Sequence, residues 1–453
     1  MNASAHRSTL LPCMPLALAL SLTLAGVAHA QSLQEVYEMA RGYDAAYQSA
    51  KSQYEANLAK ADQGKAALLP SVGMSAGSSR TQLDAQPIRG SAGLPQDRSF
   101  STQTTGINAS QPLYRPVNLI TYRQSQKTLE LAKAALNQAE QDLIVRVSQA
   151  YFDVLIAQDS LTFVKAQKAA VAEQLASARR NFEVGTATIT DTREAQARFD
   201  LVTAQEIAAD NDLRVKTVAL ELLVGKAGLK PARLHAQASL PPVEGQSIEH
   251  WIAQSERAHP AIQLARTNLE VATLETEKAQ AGHKPTVDLT MGYNIQRNIN
   301  GTAVSAASTQ INIATVGITA AVPLFSGFAT QNRIRETLAL EEKARTDLEG
   351  AQRQVAQATR TAYLGLQSGL GQVKAFEAAE ASSQSALDAN KLGYQVGVRI
   401  NIDVLNSQSQ LFQTKRDLAK ARYDVLVGQL RLRQAAGVLK SEDLQNINRL
   451  LAP

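Results

Sequence analysis

An internal repeat constrains this chain of 453 residues more strongly than any other feature. At an offset near 212 residues, Phe182-Glu183-Val184-Gly185 corresponds to Tyr394-Gln395-Val396-Gly397. Further matches at this offset keep the same order along the chain: Tyr151 with Tyr363, Asp191 with Asp403, Gln196 with Gln408, Asp212 with Asp424, and Gly225 with Gly437. Because a shared bias towards Ala and Gln would not keep Gly and Asp in the same positions, the pattern predicts one structural unit used twice.

The repeat predicts a division of the chain into four segments. We expect a signal peptide over residues 1–30, a first repeat over 31–225, a connector over 226–259 and a second repeat over 260–453. The connector contains several prolines and breaks the helical pattern. We therefore expect it to have short structure of its own and to pack on the outside of the helices.

The first thirty residues have the pattern of a signal peptide. His6 and Arg7 precede an apolar stretch that ends at Val27. Ala28-His29-Ala30 then fits the small-x-small cleavage rule. The mature chain is therefore predicted to begin at Gln31. The single cysteine, Cys13, lies in the removed segment, so the exported chain has neither a disulfide nor a Cys-based metal site. Export without disulfides favours a bacterial envelope protein.

Each repeat is predicted to begin with a helix that leads into two strands. Residues 32–68 and 260–281 are rich in helix-forming residues and end near Pro70 and Pro285, which would break a helix. Apolar and polar residues then alternate, most clearly over 286–296, as they do in a strand with two different faces. The predicted strands are residues 71–83, 99–113, 286–296 and 309–325. The predicted breaks from strand to helix are Pro112 and Pro323.

Each repeat then continues as a very long helical hairpin. Residues 118–182 contain no Pro or Gly, and as one helix they would extend roughly 100 Å. The matching run is 328–396, and both runs are predicted to turn at Gly185 and Gly397 into the returning helices 190–225 and 402–437. In the last helix, apolar residues recur every seven positions from Val404 to Leu432, which favours coiled-coil packing over an ordinary helical bundle.

The four strands raise the question of how the sheet is completed. Strands of about ten residues can cross a bilayer, but four are too few to close a barrel, and open edges are not tolerated in lipid. Several copies would therefore contribute to one barrel, and three copies would give twelve strands. The spacing of the sequence does not fix the number of copies. The alternative is a water-exposed sheet that caps a coiled-coil rod.

Composition and motifs exclude several other classes of protein. The net charge of +5 is too small to indicate a nucleic-acid partner. After the N-terminus the sequence contains no run of 18 apolar residues, so no membrane-spanning helix is predicted. No HExxH, GxSxG or Walker motif is present, so we predict no catalytic, metal or cofactor site and no enzyme.

The paired Val-Gly turns, the following Ile189-Thr190-Asp191 and Ile402-Asp403, and the proline breaks resemble the TolC family of outer-membrane efflux and type I secretion proteins. The resemblance covers nearly the whole mature chain. It implies a mainly α fold in a homotrimer, with a shared twelve-stranded β-barrel in the outer membrane and an α-helical barrel across the periplasm. It also implies two partners, a periplasmic adaptor (membrane fusion protein) and an inner-membrane ABC or proton-driven transporter. It does not identify the cargo.

The resemblance further implies a gate at the periplasmic tips of the hairpins. Thr190 and Asp191 on one tip would meet Tyr394 and Arg399 on the other, and Asp403 would line the narrowest ring. Asn406 stands where a second acidic ring is expected. Lys391 likewise replaces the acidic partner expected for Gln174. Asp191 and Asp403 also lie where helix N-caps are favoured, so a capping role is the alternative.

A second class of function is compatible with the same helical pattern. A periplasmic coiled-coil adaptor, or an adhesin-like structural protein, would use long hairpins without forming a pore. Recovery in the outer-membrane fraction with heat-modifiable migration on gels would favour the channel, whereas a soluble periplasmic monomer would favour the alternative.

Overall fold

The computed structural model describes residues 30–84, 98–235 and 247–451. The predicted signal peptide, except for Ala30, lies outside the described residues. Within the described part, the first half contains α1 (Leu33–Tyr43), α2 (Ala45–Ala66), β1 (Ser71–Leu83), β2 (Arg98–Tyr114), α3 (Pro116–Glu183) and α4 (Ile189–Val224). The second half contains α5 (Ile248–Ala258), α6 (Pro260–Ala281), β3 (Thr286–Ile299), β4 (Thr309–Ala321), α7 (Ala329–Gln395), α8 (Asn401–Ala435) and α9 (Asp443–Asn448).

The predicted single helix over residues 32–68 is in fact two helices, and that prediction was wrong at Asp44. The Asp44 side chain accepts a hydrogen bond from the Tyr47 amide at 2.8 Å and so caps α2. The same carboxylate accepts hydrogen bonds from both terminal nitrogens of Arg146, at 2.9 and 3.0 Å. These hydrogen bonds lower the pKa of Asp44, with that from Arg146 contributing most. The helix breaks because capping and ion pairing at Asp44 together outweigh helix continuation.

Helix α5 lies within the segment predicted as a connector. It begins after Ser247, whose side chain caps the helix, and buries Trp251 against a cluster that includes Leu366 and Val425. In the order of elements, α5 takes the place in the second half that α1 takes in the first. The exact division of the chain into repeats stays a prediction.

The four strands form one antiparallel sheet in the order β1-β2-β3-β4. Neighbouring strands align so that large apolar side chains share one face, and all of these are exposed: Val72, Met74, Ile107, Met291, Tyr293, Val316 and Ile318. On the opposite face lie mainly Gly, Ser, Thr and Asn, together with Ile311 and Ile313 of β4. Each chain therefore presents a sheet with one apolar and one polar surface and with two unpaired edges, β1 and β4.

Two of the proline breaks differ in position from the prediction. Pro112 lies inside β2, where the alignment with β3 shifts between Pro112 and Tyr114. The helix starts instead at Pro116, since a proline in the first helical position sacrifices no hydrogen bond. Strand β4 ends at Ala321, four residues earlier than predicted, and Pro323 lies in the connection to α7. Pro70 and Pro285 each immediately precede a strand.

The long hairpins and a mixed core organise the rest of the chain. Helices α3 and α7 have 68 and 67 residues, and α7 is continuous through its internal glycines. The largest core cluster joins α1, α3, α8 and α9, with Tyr151 and Phe152 fully buried at its centre. The Tyr151 hydroxyl donates a hydrogen bond to the Gln31 carbonyl at 2.9 Å, which anchors the segment that precedes α1. Among the described helices, none is both long and apolar enough to span a bilayer.

Candidate functional site at the hairpin tips

The two hairpin tips make the same turn. Gly185 and Gly397 follow α3 and α7 with φ of 78° and 77°, a backbone conformation that glycine adopts without steric cost. In the first tip the Thr186 amide donates to the Asn181 carbonyl at 2.8 Å, and in the second the Val398 amide donates to the Gly393 carbonyl, also at 2.8 Å. This is the Schellman arrangement that commonly ends helices. The Val-Gly motif therefore sets the shape of both tips.

The returning helix of the first hairpin begins with a reciprocal cap. Thr188 is the N-cap of α4, and its side chain accepts a hydrogen bond from the Asp191 amide at 3.2 Å. The Asp191 carboxylate in turn accepts from the Thr188 amide at 2.9 Å. Asp191 therefore has a capping role, but as the N3 residue of a capping box, three positions after the N-cap Thr188. Thr190 is exposed on the first turn of α4.

The returning helix of the second hairpin begins without a side-chain cap. Its N-cap is Ile400, which has no side-chain acceptor. Asp403, which was also considered as an N-cap, is the third residue of α8 and approaches Arg399 at 3.7 Å. Within the described residues of one chain, Arg399 is therefore paired with Asp403, and it makes no ion pair with Asp191.

Polar contacts join the two tips to each other. Asn401 is fully buried, donates to the Asp191 carbonyl at 3.2 Å and accepts from the Gln174 side chain at 2.5 Å. Asn181 donates to the Tyr394 hydroxyl at 3.2 Å. Each of these bonds runs from one hairpin to the other, so the side chains of Tyr394 and Asn401 act as ties between them.

Further along the hairpins, Asn406 is exposed and accepts a hydrogen bond from Arg198 at 2.8 Å. Gln408 is buried, and its Oε1 has no hydrogen-bond partner among the described residues. Leu405 is fully buried against a cluster supplied by the first hairpin, including Val171 and Leu175. Near the tips the second hairpin thus packs on the first through Leu405 and the partly buried Ile402, with polar residues on either side.

The tips enclose a cleft of about 790 Å³. Three basic side chains (Arg180, Lys391 and Arg399) and two acidic ones (Glu173 and Asp191) are part of its lining. Tyr394, Asn401 and Gln408 also line it. The predicted residues Asp191, Tyr394 and Arg399 are therefore brought to one site, whereas Thr190, Asp403 and Asn406 are not among its lining residues. In the described part of the chain, no group of three His, Cys, Asp or Glu residues could hold a metal ion.

Asn401 is the residue of this site that sequence reasoning missed. The repeat contained the signal, because at the offset of 212 residues Asn401 corresponds to the apolar Ile189, and Ile400 corresponds to the capping Thr188. The two tips have diverged at these neighbouring positions: Asn401 is polar where the first tip is apolar, and Ile400 is apolar where the first tip has a cap.

The profile of the outer membrane efflux protein family matches residues 36–226 and again residues 251–438. The chain belongs to the outer membrane efflux protein family. It is 33% identical to the outer membrane protein TolC of Vibrio cholerae, over 94% of this chain and 95% of that protein. It is 31% identical to the alkaline protease secretion protein AprF of Pseudomonas aeruginosa, over 92% of this chain and 87% of that protein.

Solved structures agree with this family at the level of the fold. The outer membrane channel CmeC of Campylobacter jejuni has a TM-score of 0.77 and 16% identity, covering 93% of this chain and 90% of that chain. The predicted TolC-family membership, the mainly α architecture with four strands per chain, the outer-membrane location and the channel function are confirmed. Outer membrane efflux proteins are channels rather than enzymes, and the alternative of an adaptor or adhesin without a pore is not supported.

Proposed function

We propose that three copies of the chain form the channel by closing their sheets into one twelve-stranded barrel. The observation that carries this proposal is the sheet with an exposed apolar face, a polar face and two unpaired edges of 13 residues each, β1 and β4. Unpaired backbone groups in lipid cost several kcal/mol each, so the edges must be paired. Strand β4 of one copy would pair with β1 of the next, and cyclic symmetry would close the ring.

In this assembly the long hairpins extend into the periplasm as a helical barrel. The channel would act as a passive exit duct and would catalyse no reaction of its own. A periplasmic adaptor and an inner-membrane transporter, either an ABC protein or a proton-driven pump, would deliver the cargo. AprF and the proteases secretion protein PrtF of Dickeya chrysanthemi are named for protease export, whereas BepC of Brucella suis is named as an efflux protein. The transporter partner would therefore select between proteins and small molecules.

The assembly is tested by the state of the purified protein. We expect recovery in the outer-membrane fraction, a trimeric mass by native mass spectrometry, and a gel band that shifts only after boiling. Cysteines placed at facing positions on β1 and β4 should cross-link between copies, because these two edges would be paired. The cross-link would be specific, since the mature chain is predicted to contain no other thiol. A monomer in the soluble periplasm, or cross-links that form only within one copy, would contradict the proposal.

We further propose that the tips form the periplasmic gate. Tyr394 would hold the second tip against Asn181, Asn401 would hold it against the Asp191 carbonyl, and Arg399 would stabilise the start of α8 through Asp403. Exposed ion pairs contribute only about 0.2–1 kcal/mol each. A gate closed by contacts of this size can be opened by the docking of a partner.

The gate is tested by single-channel conductance in planar bilayers. Replacing Tyr394 by Phe and Arg399 by Gln removes one tie and one ion pair, and the conductance of the resting channel should increase. Replacing Arg345 by Gln is a matched control, since this exposed arginine on α7 lies far from the tips in sequence. A double variant that keeps the small conductance of the unmodified channel would remove the gate assignment while leaving the barrel proposal untouched.

A further inference from the structure

We propose that two arginines at the outer end of the apolar sheet face, Arg80 and Arg297, bind the phosphorylated headgroup of a membrane glycolipid. This inference rests on the proposed function, because it takes the apolar face of the sheet as the face in contact with lipid. We define the arginine rim as Arg80, Gln103, Arg297 and Gln310.

The pairing of the strands places the arginine rim on the apolar face. Arg297 lies opposite Gln103 on β2 and Gln310 on β4. Since side chains alternate between the faces of a strand, Arg297 shares its face with Tyr293 and Met291. By the same alternation, Arg80 shares its face with Met74 on β1.

The rim lies at the outer end of the continuous apolar row of this face. On β3 the apolar side chains of this face run without interruption from Val287 to Ile295, which is about 27 Å along the strand, and Ile299 follows Arg297 on the same face. Arg297 is the next residue on that face. The helices join the other end of the sheet, so the rim lies at the end that faces away from them. In an outer-membrane channel whose helices extend into the periplasm, this is the outer leaflet.

Both guanidinium groups are available to an external anion. Arg80 and Arg297 are exposed, and Arg297 uses only its Nε, which donates to Gln310 Oε1 at 2.9 Å. In the described part of the chain, the acidic residue nearest to Arg80 in sequence is Asp84, which lies four positions beyond it, just after the end of β1. Asp288 lies on the opposite, polar face of the sheet and forms an ion pair with Arg115 at 2.6 Å. The rim therefore carries positive charge that no described carboxylate pairs with.

The chemistry of the rim fits a phosphorylated glycolipid. Arginine binds phosphate oxygens with two parallel hydrogen bonds, and side-chain amides such as those of Gln103 and Gln310 bind hydroxyl groups. Strand geometry places the two arginines about 12 Å apart, two strands across and two residues along. A soluble anion would satisfy the charges alone. A lipid headgroup also fits the exposed apolar rows directly below, where Met74 and Tyr293 would contact acyl chains.

The test is a titration of the detergent-solubilised assembly with bisphosphorylated lipid A, followed by native mass spectrometry. Replacing both Arg80 and Arg297 by Gln should weaken binding roughly 10- to 30-fold, because each basic residue near a charged membrane surface contributes about fivefold. Dephosphorylated lipid A should bind the unmodified protein and the variant equally weakly. A matched control replaces Arg345 and Arg353 on α7 by Gln, which removes the same charge from an exposed helical surface and should leave binding unchanged.

Two results would overturn the proposal. Equal binding of bisphosphorylated lipid A by the rim variant and the unmodified protein would remove the arginines from the site. Competition by millimolar inorganic phosphate as effective as competition by lipid A would assign the rim to free anions. Heat-modifiable migration of the rim variant in the outer-membrane fraction shows that the channel still assembles, so failure of the lipid site is distinguishable from failure of the barrel.

Discussion

The first hairpin, α3–α4, and the second, α7–α8, share their turn but differ in how the returning helix begins. At the first tip Thr188 and Asp191 satisfy each other's backbone amides, so this helix start needs no other part of the molecule. At the second tip Ile400 supplies no cap, and the buried Asn401 reaches across to the Asp191 carbonyl instead. The duplicated unit has therefore produced one self-sufficient tip and one that depends on its neighbour.

This difference identifies which tip can move at low cost. Separating the tips breaks the hydrogen bonds of Tyr394 and Asn401 whichever hairpin moves. The first tip then keeps its capping box, whereas the start of α8 loses the support that Asn401 gives it. We therefore expect the second hairpin to be the mobile part of the gate. The following experiments test that expectation in order of decreasing effect.

The largest effect should come from the apolar contact between the hairpins. Leu405 is fully buried in a cluster formed by the first hairpin, and its replacement by Ala should destabilise this packing by about 2–5 kcal/mol. Hydrogen exchange should then accelerate at both tips, because the contact between them is lost. Replacing Val404 by Ala is the matched control, since Val404 is buried within the second hairpin against Leu387 and Leu411. If both variants accelerate exchange only in the second hairpin, Leu405 does not couple the tips.

The next largest effect should come from the ion pair between Glu275 on α6 and Arg333 near the start of α7. It should appear as a dependence of the stability of the fold on pH. Burial raises the pKa of Glu275, but hydrogen bonds from Gln124, Arg333 and Lys278 outweigh burial and lower this pKa from 4.5 to about 2. A depressed carboxyl pKa stabilises the fold above pH 4.5, and the contribution is lost as the pH falls towards 2. Because about a quarter of the side chain is exposed, we expect on the order of 1–2 kcal/mol.

The measurement is the temperature of thermal unfolding between pH 6 and pH 2. Replacing Glu275 by Gln should lower it at pH 6 and flatten its decline below about pH 4.5. Replacing Glu336 by Gln leaves the Arg333–Glu275 pair in place and serves as the control. A decline that is equally steep with and without Glu275 would show that α7 is not anchored by this carboxylate.

The sequence was sufficient to predict the elements whose signal is local. The proline-free run after Asn118 and the alternation from Val287 to Ile295 gave α3 and β3 to within a few residues, because a run without Pro or Gly favours a helix and strict alternation indicates a strand with two different faces. The break at Asp44 was missed because its decisive partner, Arg146, is 102 residues away. Nothing local distinguishes an aspartate that caps from one on a solvated helix face.

The candidate site was predictable to a similar degree. The repeated Val-Gly motif predicted the turns at Gly185 and Gly397, and the resemblance to the TolC family implied that Asp191 and Tyr394 lie at the tips. The tie through Asn401 depends on Gln174, which is 227 residues away. Such a contact exists only once the hairpins are packed. Comparing the repeats position by position, rather than only for identities, would have drawn attention to Asn401.

Substitutions at the two N-cap positions should change the stability of the helix starts in opposite directions. Replacing Thr188 by Ala removes a capping acceptor and should destabilise the start of α4 by about 1 kcal/mol. Replacing Ile400 by Thr creates the spacing Thr-x-x-Asp with Asp403 and should protect the start of α8 by a similar or smaller amount. Hydrogen exchange over residues 189–193 and 401–405 measures each change. If Ile400→Thr leaves exchange at α8 unchanged, the missing cap is not what distinguishes the tips.

The smallest effect should come from the ion pair between Arg399 and Asp403. Their charged atoms are 3.7 Å apart and their side chains are 58% and 33% exposed, so the coupling should be about 0.2–1 kcal/mol. A double-mutant cycle with Arg399→Gln and Asp403→Asn measures it from the frequency of channel opening. At about 1 M salt the Debye length falls to about 3 Å and the coupling should nearly vanish. A coupling above about 2 kcal/mol that persists in high salt would mean that the second tip is held by its own contacts, as the first is.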